Sequence, residues 1–260
     1  MKVISIQMAV AEGDKTATIK RAAREIAACK DADLILLPEI WNIGFMSFDQ
    51  YQSGAEDMDG PTVSMLRQAV RDSGAYLHTG SFVEREGDRL FNTSLLLAPD
   101  GEVTAKYRKI HLFGYNSLET KLLSPGDAVV VADTPFGRVG MATCFDLRFP
   151  ELFRAMVDKG AEIFLVCSAW PYPRVEPWIM LNRVRALENQ AFLISSNACG
   201  MNQGSQFVGH SMVIDPWGTI LAGAGDDAVR VEARIDPARV KEARQAFPGL
   251  AGRRDFLNIG

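Results

Sequence analysis

The chain has 260 residues, enough to bury a full core, with 47% hydrophobic and 23% charged residues and a formal net charge of −4. That is the balance of a globular protein; there is no basic face for nucleic acid, and no apolar run nears the roughly 18 residues of a membrane span. The cysteines at 29, 144, 167 and 199 are widely spaced with no CxxC pair, and HExxH, GxGxxG and Walker patterns are missing, so no disulfide framework, metal or other cofactor is expected.

In chain order, segment 2–8 alternates like a strand and is too short for a signal peptide, which is read as a cytoplasmic chain. A helix is predicted from about 15 to 29, with Ile19, Ala22, Ala23, Ile26 and Ala27 on one face. Strand 33–38 runs into Glu39. A second helix opens at Pro61, proline taking its favoured first-turn place. Strands 75–83, 90–98 and 102–109 follow, with Pro99-Asp100-Gly101 as the turn between the last two. Strands 129–133 and 137–143 lead to Cys144, and a third helix runs from Pro150 to Gly160. Strand 162–167 precedes a helix over 175–189, on which Trp178, Leu181, Val184 and Leu187 form a stripe suited to the core or a subunit interface. Strands 191–196, 206–214, 219–223 and 228–234 complete the set, with a turn at Pro216-Trp217-Gly218 and a last helix near Pro237.

So many strands exceed one comfortable open sheet, and the hairpins make the pairing mixed. The expected class is therefore α/β with two stacked mixed sheets and helices outside, in one domain over 1–260. The irregular stretches 41–60, 110–128, 168–176 and 197–205 follow strands and are the expected site loops.

Three apolar segments end in chemistry: 33–38 in Glu39, 102–108 in Lys109 and 137–143 in Cys144. Together they suggest an acid/base, a cation and a nucleophile at one rim of a sheet. Cys144 stands at a strand-to-helix elbow, where a helix dipole favours thiolate. A free thiol is only about 3% ionised at pH 7, so a base is needed. Glu39 suits that task, and a lysine beside carboxylates keeps its proton and suits a developing oxyanion, aided by the backbone N–H of Phe145. Strand alternation puts Val103, Ala105, Tyr107 and Lys109 on one face and Lys106 and Arg108 on the other. His111 is a rival base, as a Cys-His dyad with Cys144. The remaining cysteines, His78 and His210 are read as structural, with Cys167 the one to watch because it also ends a strand.

These same segments carry a resemblance. Leu36-Leu37-Pro38-Glu39 with Gly44-Phe45, Tyr107-Arg108-Lys109-Ile110-His111-Leu112, and Cys144-Phe145-Asp146-Leu147-Arg148-Phe149-Pro150-Glu151 resemble the three signature segments of the nitrilase superfamily of carbon–nitrogen hydrolases. Ser124-Pro125-Gly126-Asp127, 183–190 and 209–218 also fit, so the likeness spans nearly the whole chain. It implies a four-layer αββα sandwich, a Glu39-Lys109-Cys144 triad without cofactor, and a second glutamate, Glu119 by position, that orients Lys109 and the substrate amide. It also implies at least a homodimer, paired through the helix after Cys144 and the helix over 175–189, with 246–260 as an arm at the interface. Phe145 stands where many relatives carry tyrosine, and Thr143 where an aliphatic residue is common; both bear on specificity rather than on the trio.

The wording around Lys109 and Ser124 is similar to the ω-amidase branch, which implies hydrolysis of a monoamide of a short dicarboxylic acid, such as 2-oxoglutaramate, by water through a thioester. N-carbamoyl compounds and nitriles suit the same triad. A catalytically silent scaffold is the reading of another class. For the substrate, Phe45, Tyr115, Trp170 and Tyr172 are candidate walls, with Trp41 and Met46 beside Phe45, and Arg148 and Arg174 a candidate clamp for a carboxylate, Arg148 alternatively holding the elbow.

Overall fold

The computed structural model describes residues 1–10 and 12–254. β1 (Lys2–Gln7), α1 (Lys15–Ala27) and β2 (Leu34–Leu36) open the chain. A short 3-10 turn at 48–50 and α2 (Tyr51–Gly54) precede α3 (Pro61–Ser73), and β3 (Tyr76–Glu86), β4 (Arg89–Leu97) and β5 (Val103–Arg108) form a meander. α4 (Glu119–Leu122), β6 (Val131–Thr134) and β7 (Gly137–Thr143) follow, then a 3-10 helix at Cys144–Arg148, α5 (Pro150–Asp158), β8 (Ile163–Ser168), α6 (Val175–Asn189) and β9 (Phe192–Asn197). β10 (Cys199–Asn202), β11 (Ser205–Val208), β12 (Met212–Ile214), β13 (Ile220–Gly223), β14 (Val229–Arg234) and α7 (Ala238–Ala246) close it.

Two six-stranded mixed sheets result, ordered β14-β1-β2-β3-β4-β5 and β13-β12-β9-β8-β7-β6. Strand alternation explains how they stack. Val3, Leu34, Leu36 and Tyr107 from the first sheet meet Val139, Met141, Ile163, Leu165, Phe192 and Ile194 from the second. The opposite faces carry Ile4, Ile6, Ile35 and Leu77 to α1 and α3, and Ala142, Phe164, Val166 and Leu193 to α5 and α6. The layer order is helix, sheet, sheet, helix, the αββα sandwich. Local signals set the helix ends: the Asp14 carboxylate accepts from the Ala17 N–H at 2.8 Å, and Pro61 opens α3 while Gly74, at φ 76°, closes it. Among the described residues no helix is long and apolar enough to cross a membrane.

The structure corrects four local expectations. The strand expected over 206–214 is broken into β11 and β12, because Gly209 and His210 both take positive φ. A Cβ at Gly209 would lie 2.6 Å from Gln7 Nε2 and from the Gly225 carbonyl, so the bend is made where only glycine fits. The expected loop 197–205 contains β10, which pairs with β11 as a separate two-stranded sheet. The α6 stripe is divided: Trp178 is buried, but Val184 and Leu187 face outward beside Met180, while Asn182, Arg185 and Asn189 take the buried face. Val103 packs on the helix side, whereas Ala105 and Tyr107 pack between the sheets, because the register shifts at Leu96/Leu97. Of the expected arm, 247–254 lies along its own chain, with Arg253 paired to Asp158 at 2.5 Å and the Phe247 carbonyl accepting from Gln190 at 2.7 Å; 255–260 falls outside the described residues.

Candidate active site

The candidate residues come from both sheets, not from one rim. Glu39 follows β2 and Lys109 follows β5 in the first sheet, while Cys144 follows β7 in the second. The stacking of the sheets turns these strand ends toward one another. The Glu39 N–H donates to the Ser168 carbonyl at the end of β8, at 3.2 Å, and the Ala169 N–H donates back to Glu39 Oε2 at 2.9 Å. Behind Glu39, β3 bulges at 79–80 so that Ser81 donates to the Pro38 carbonyl at 3.0 Å. Gly80 permits this approach, since a Cβ there would sit 2.0 Å from that same oxygen. Ile40 and Cys144 hold φ of 41° and 48°, a region costly for residues with side chains, so both turns of the site store backbone strain.

Lys109 Nζ donates to Glu39 Oε1 at 2.8 Å and to both oxygens of Glu119 at 3.0 Å, and all three side chains are fully buried. Glu119 opens α4 in the middle of the expected loop 110–128, and its Oε2 also accepts from the Phe113 N–H at 2.7 Å. Burial works against the Lys109 ammonium, but the charges of Glu119, Glu39 and Cys144 together outweigh it and raise its pKa well above the usual lysine range. Burial, reinforced by Glu39, pushes the Glu119 carboxyl up against the pull of Lys109.

Cys144 is buried, with the Glu39 and Lys109 charges and Ser168 close enough to act on its thiol. Burial, then the Glu39 charge, push its thiol well above its ordinary range despite Lys109. The expected thiolate at a helix dipole is therefore corrected: the elbow opens a five-residue 3-10 helix rather than a long α-helix, and desolvation dominates. The elbow is held by Asp146, fully buried. Its carboxylate accepts from the Tyr107 hydroxyl at 2.6 Å, the Thr143 N–H at 2.8 Å and the His111 N–H at 3.1 Å, and its Oδ1 lies 2.7 Å from His111 Nδ1. His111, further fixed by stacking on Phe149 at 3.7 Å, thus belongs to the elbow and makes no hydrogen bond with Cys144.

A small, tight cavity opens over the sulfur, lined by Phe45, Phe113, Phe145, Trp170, Arg148 and Arg174, with Ala169 and Pro171. Phe45 also covers Lys109, whose Nζ lies 5.4 Å from its ring centre. Arg148 leans on Trp170 at 5.2 Å. Phe113 is a wall that sequence reasoning missed; its only signal was its place four residues after Lys109. Tyr115 is not brought to the cavity: its side chain is 67% exposed. Trp41 is turned into the helix-side core, donating to the Thr79 carbonyl at 2.8 Å, and Tyr172 is tied to Asp226 at 2.7 Å rather than lining the cavity. Cys167 lies under the elbow, 3.5 Å from the Thr143 hydroxyl, and burial pushes its thiol up to about 12. Among the described residues no group of His, Cys, Asp and Glu is arranged to hold a metal ion.

Comparison with known proteins points to one family. Residues 2–245 match the family described as carbon–nitrogen hydrolase. The 2-oxoglutaramate amidase of Paenarthrobacter nicotinovorans is 36% identical over 91% of this chain and 83% of its own length. The structure of Saccharomyces cerevisiae Nit3, described as a member of branch 10 of the nitrilase superfamily, superposes with a TM-score of 0.89 at 32% identity, over 98% of this chain and 97% of that one. A glutamate-to-glutamine mutant of the amidase of Nesterenkonia sp. AN1, in which acrylamide has added to the active-site cysteine, superposes with a TM-score of 0.85 at 25% identity, over 95% of this chain and 98% of that one. The chain belongs to the carbon–nitrogen hydrolase family of the nitrilase superfamily.

Proposed function

We propose that this protein is a thiol amidohydrolase that cleaves the ω-amide of a short dicarboxylic acid, of which 2-oxoglutaramate is the type, to carboxylate and ammonia. The observation that carries the reading is a buried Cys144 thiol under the charge of Glu39, whose Oε1 is held by Lys109 at 2.8 Å. The thiol rests protonated, so attack and proton transfer are coupled. Cys144 Sγ bonds to the amide carbon as Glu39 takes its proton. The oxyanion is met by the permanently charged Lys109 and by the Phe145 N–H, which lies in the first turn of the 3-10 helix and has no intrahelical acceptor. Glu39 then passes the proton to the departing nitrogen, the C–N bond breaks and ammonia leaves a thioester. Water, deprotonated by Glu39, adds to the thioester, and the C–S bond breaks to release the acid and restore the thiol. Glu119 orients Lys109.

The cavity supports a small, slim substrate, with aromatic walls for a short methylene chain and two guanidinium groups, Arg148 and Arg174, for a distal carboxylate. The named relative acts on such a molecule. The family match over 2–245 supports one catalytic domain, and the unpaired state of all four cysteines supports a reducing cytoplasm. The outward face of α6, with Met180 61% and Leu187 49% exposed beside Trp217, supports a homodimer built on that helix.

The deciding experiment is ammonia release from a panel of ω-amides, N-carbamoyl compounds and nitriles, for the wild type and Cys144→Ala. The expected result is turnover of ω-amides by the wild type only. A wild type inert to every class would favour the scaffold reading, and a preference for carbamoyl compounds or nitriles would reassign the substrate. Arg148→Met or Arg174→Met should raise KM for the dicarboxylic monoamide roughly tenfold and leave an uncharged amide unaffected.

A further inference from the structure

Four buried polar residues meet in one cluster, and three of them are Glu39, Lys109 and Glu119. The fourth is Asn92, on β4, 1% exposed. Its backbone carbonyl accepts the Lys109 N–H at 2.9 Å. Its side-chain Nδ2 donates to Glu39 Oε1 at 2.8 Å and to Glu119 Oε1 at 3.0 Å. One residue thus touches the lysine through its main chain and both carboxylates through its amide. The opposite rotamer would set Oδ1 against two carboxylates, so the amide serves as a pure donor here. Its own oxygen meets no donor among the described residues, a cost accepted in exchange for those two bonds.

A count of lone pairs shows what the amide does. A carboxylate offers about four acceptor positions. Glu119 accepts two bonds from Lys109, one from Asn92 and one from the Phe113 N–H, which fills them. Glu39 accepts from Lys109 and Asn92 on Oε1 and from the Ala169 N–H on Oε2. Its open position is on Oε2, the oxygen that meets the second sheet through Ala169, and that sheet also carries Cys144. We infer that Asn92 is a positioning residue that assigns the proton-transfer role: by occupying Oε1 of both carboxylates it leaves Oε2 of Glu39 as the single open acceptor and keeps Glu119 out of proton transfer. This rests on the amidohydrolase reading above and deepens it.

The groups facing the two carboxylates from the elements around them are Lys109, Cys144, Tyr51 and Cys167. Burial, then the two carboxylate charges, push the Tyr51 hydroxyl well above its ordinary range, and burial does the same for Cys167, so neither titrates near neutrality. The amide N–H bonds favour the ionised form of the carboxylates, acting on Glu119 against the rise that burial causes. Removing the Asn92 amide should let Glu119 bind a proton at higher pH.

The test is Asn92→Leu, read in two ways. With substrate, kcat should fall roughly ten- to a hundredfold, KM should stay within about threefold, and the acid limb of the pH profile should move to higher pH. Without substrate, the rate of Cys144 alkylation by iodoacetamide should show the same displaced limb, and this reading survives even if the ω-amide assignment fails. A folded Asn92→Leu whose two pH profiles overlay those of the wild type overturns the inference. Should that variant lose cooperative melting, Asn92→Asp decides. Its carboxyl donates only when protonated, so its alkylation rate relative to wild type should rise as pH falls from 8 to 6; a constant ratio overturns the inference.

Discussion

The two faces of β5 carry the same residue types to opposite ends. On the outer face, Lys106 and Arg108 converge on Glu84, Arg108 bonding its two oxygens at 2.9 Å each, with a second carboxylate, Glu86, at 2.7 Å. Past the strand end, Lys109 converges on Glu39 and Glu119 at nearly the same distances. The difference is water. Lys106 and Arg108 keep side-chain exposures of 31% and 20%, whereas Lys109 has none. In a wet setting such pairs are screened and hold strands together; in a dry one the same charges act at full strength on whatever enters. A cluster of basic residues in one hexapeptide thus divides into scaffold and chemistry by burial alone.

The largest break should come from Lys109→Met. Turnover is expected to fall at least about a thousandfold, since the oxyanion donor is lost and two buried carboxylates are left to bind protons. Steady-state kinetics checks this, and a loss under tenfold would erase the contrast between the two faces. Next is Glu84→Gln, which should cost about 2 kcal/mol in urea unfolding yet leave kcat/KM within about threefold. Burial works to raise Glu84, but hydrogen bonds from Arg108, Lys106 and Thr93 outweigh it and hold it below 4.5. Its contribution is therefore full above pH 4.5 and lost as pH falls through the lower folded value, a loss the variant should not show. Glu119, raised on folding, has the opposite sign: its ionisation opposes folding above 4.5. Unfolding free energies from pH 7 to 3 would separate the two faces by sign.

A smaller effect is expected for His111→Gln. It should lower kcat/KM less than tenfold and keep the wild-type profile between pH 6 and 8, because His111 is spent on Asp146 and not on the sulfur. A lost inflection near pH 6.5 would revive the Cys-His dyad. The smallest belongs to Lys106→Ala, within about 0.5 kcal/mol in stability and twofold in activity, as for a half-exposed partner with Arg108 still in place.

Much of this was legible along the chain. Apart from the strand expected over 206–214, each long strand and helix stands where its periodicity puts it, α6 over the expected 175–189 among them. Glu39, Lys109 and Cys144 were marked by the apolar runs that end in them. The misses share a cause. Tyr115 and Trp41 were offered as candidate walls, Trp41 as a neighbour of Glu39, but short loops turn side chains independently of their neighbours. The bend at Gly209 depends on Gln7 and Gly225, far away in the chain. Asn92 reads as an ordinary polar residue in a strand, and only its partners at 2.8 and 3.0 Å distinguish it.

Local pattern by itself determined most of the elements and the chemical identity of the three strand-end residues, because periodicity and side-chain type are properties of a few consecutive positions. Tertiary structure alone decided that Cys144 arrives from one sheet and Glu39 from the other, that the sulfur is buried, and which lysine is dry. Those depend on which distant surfaces exclude water from one another, and desolvation is a property of an assembled interior that no short segment carries.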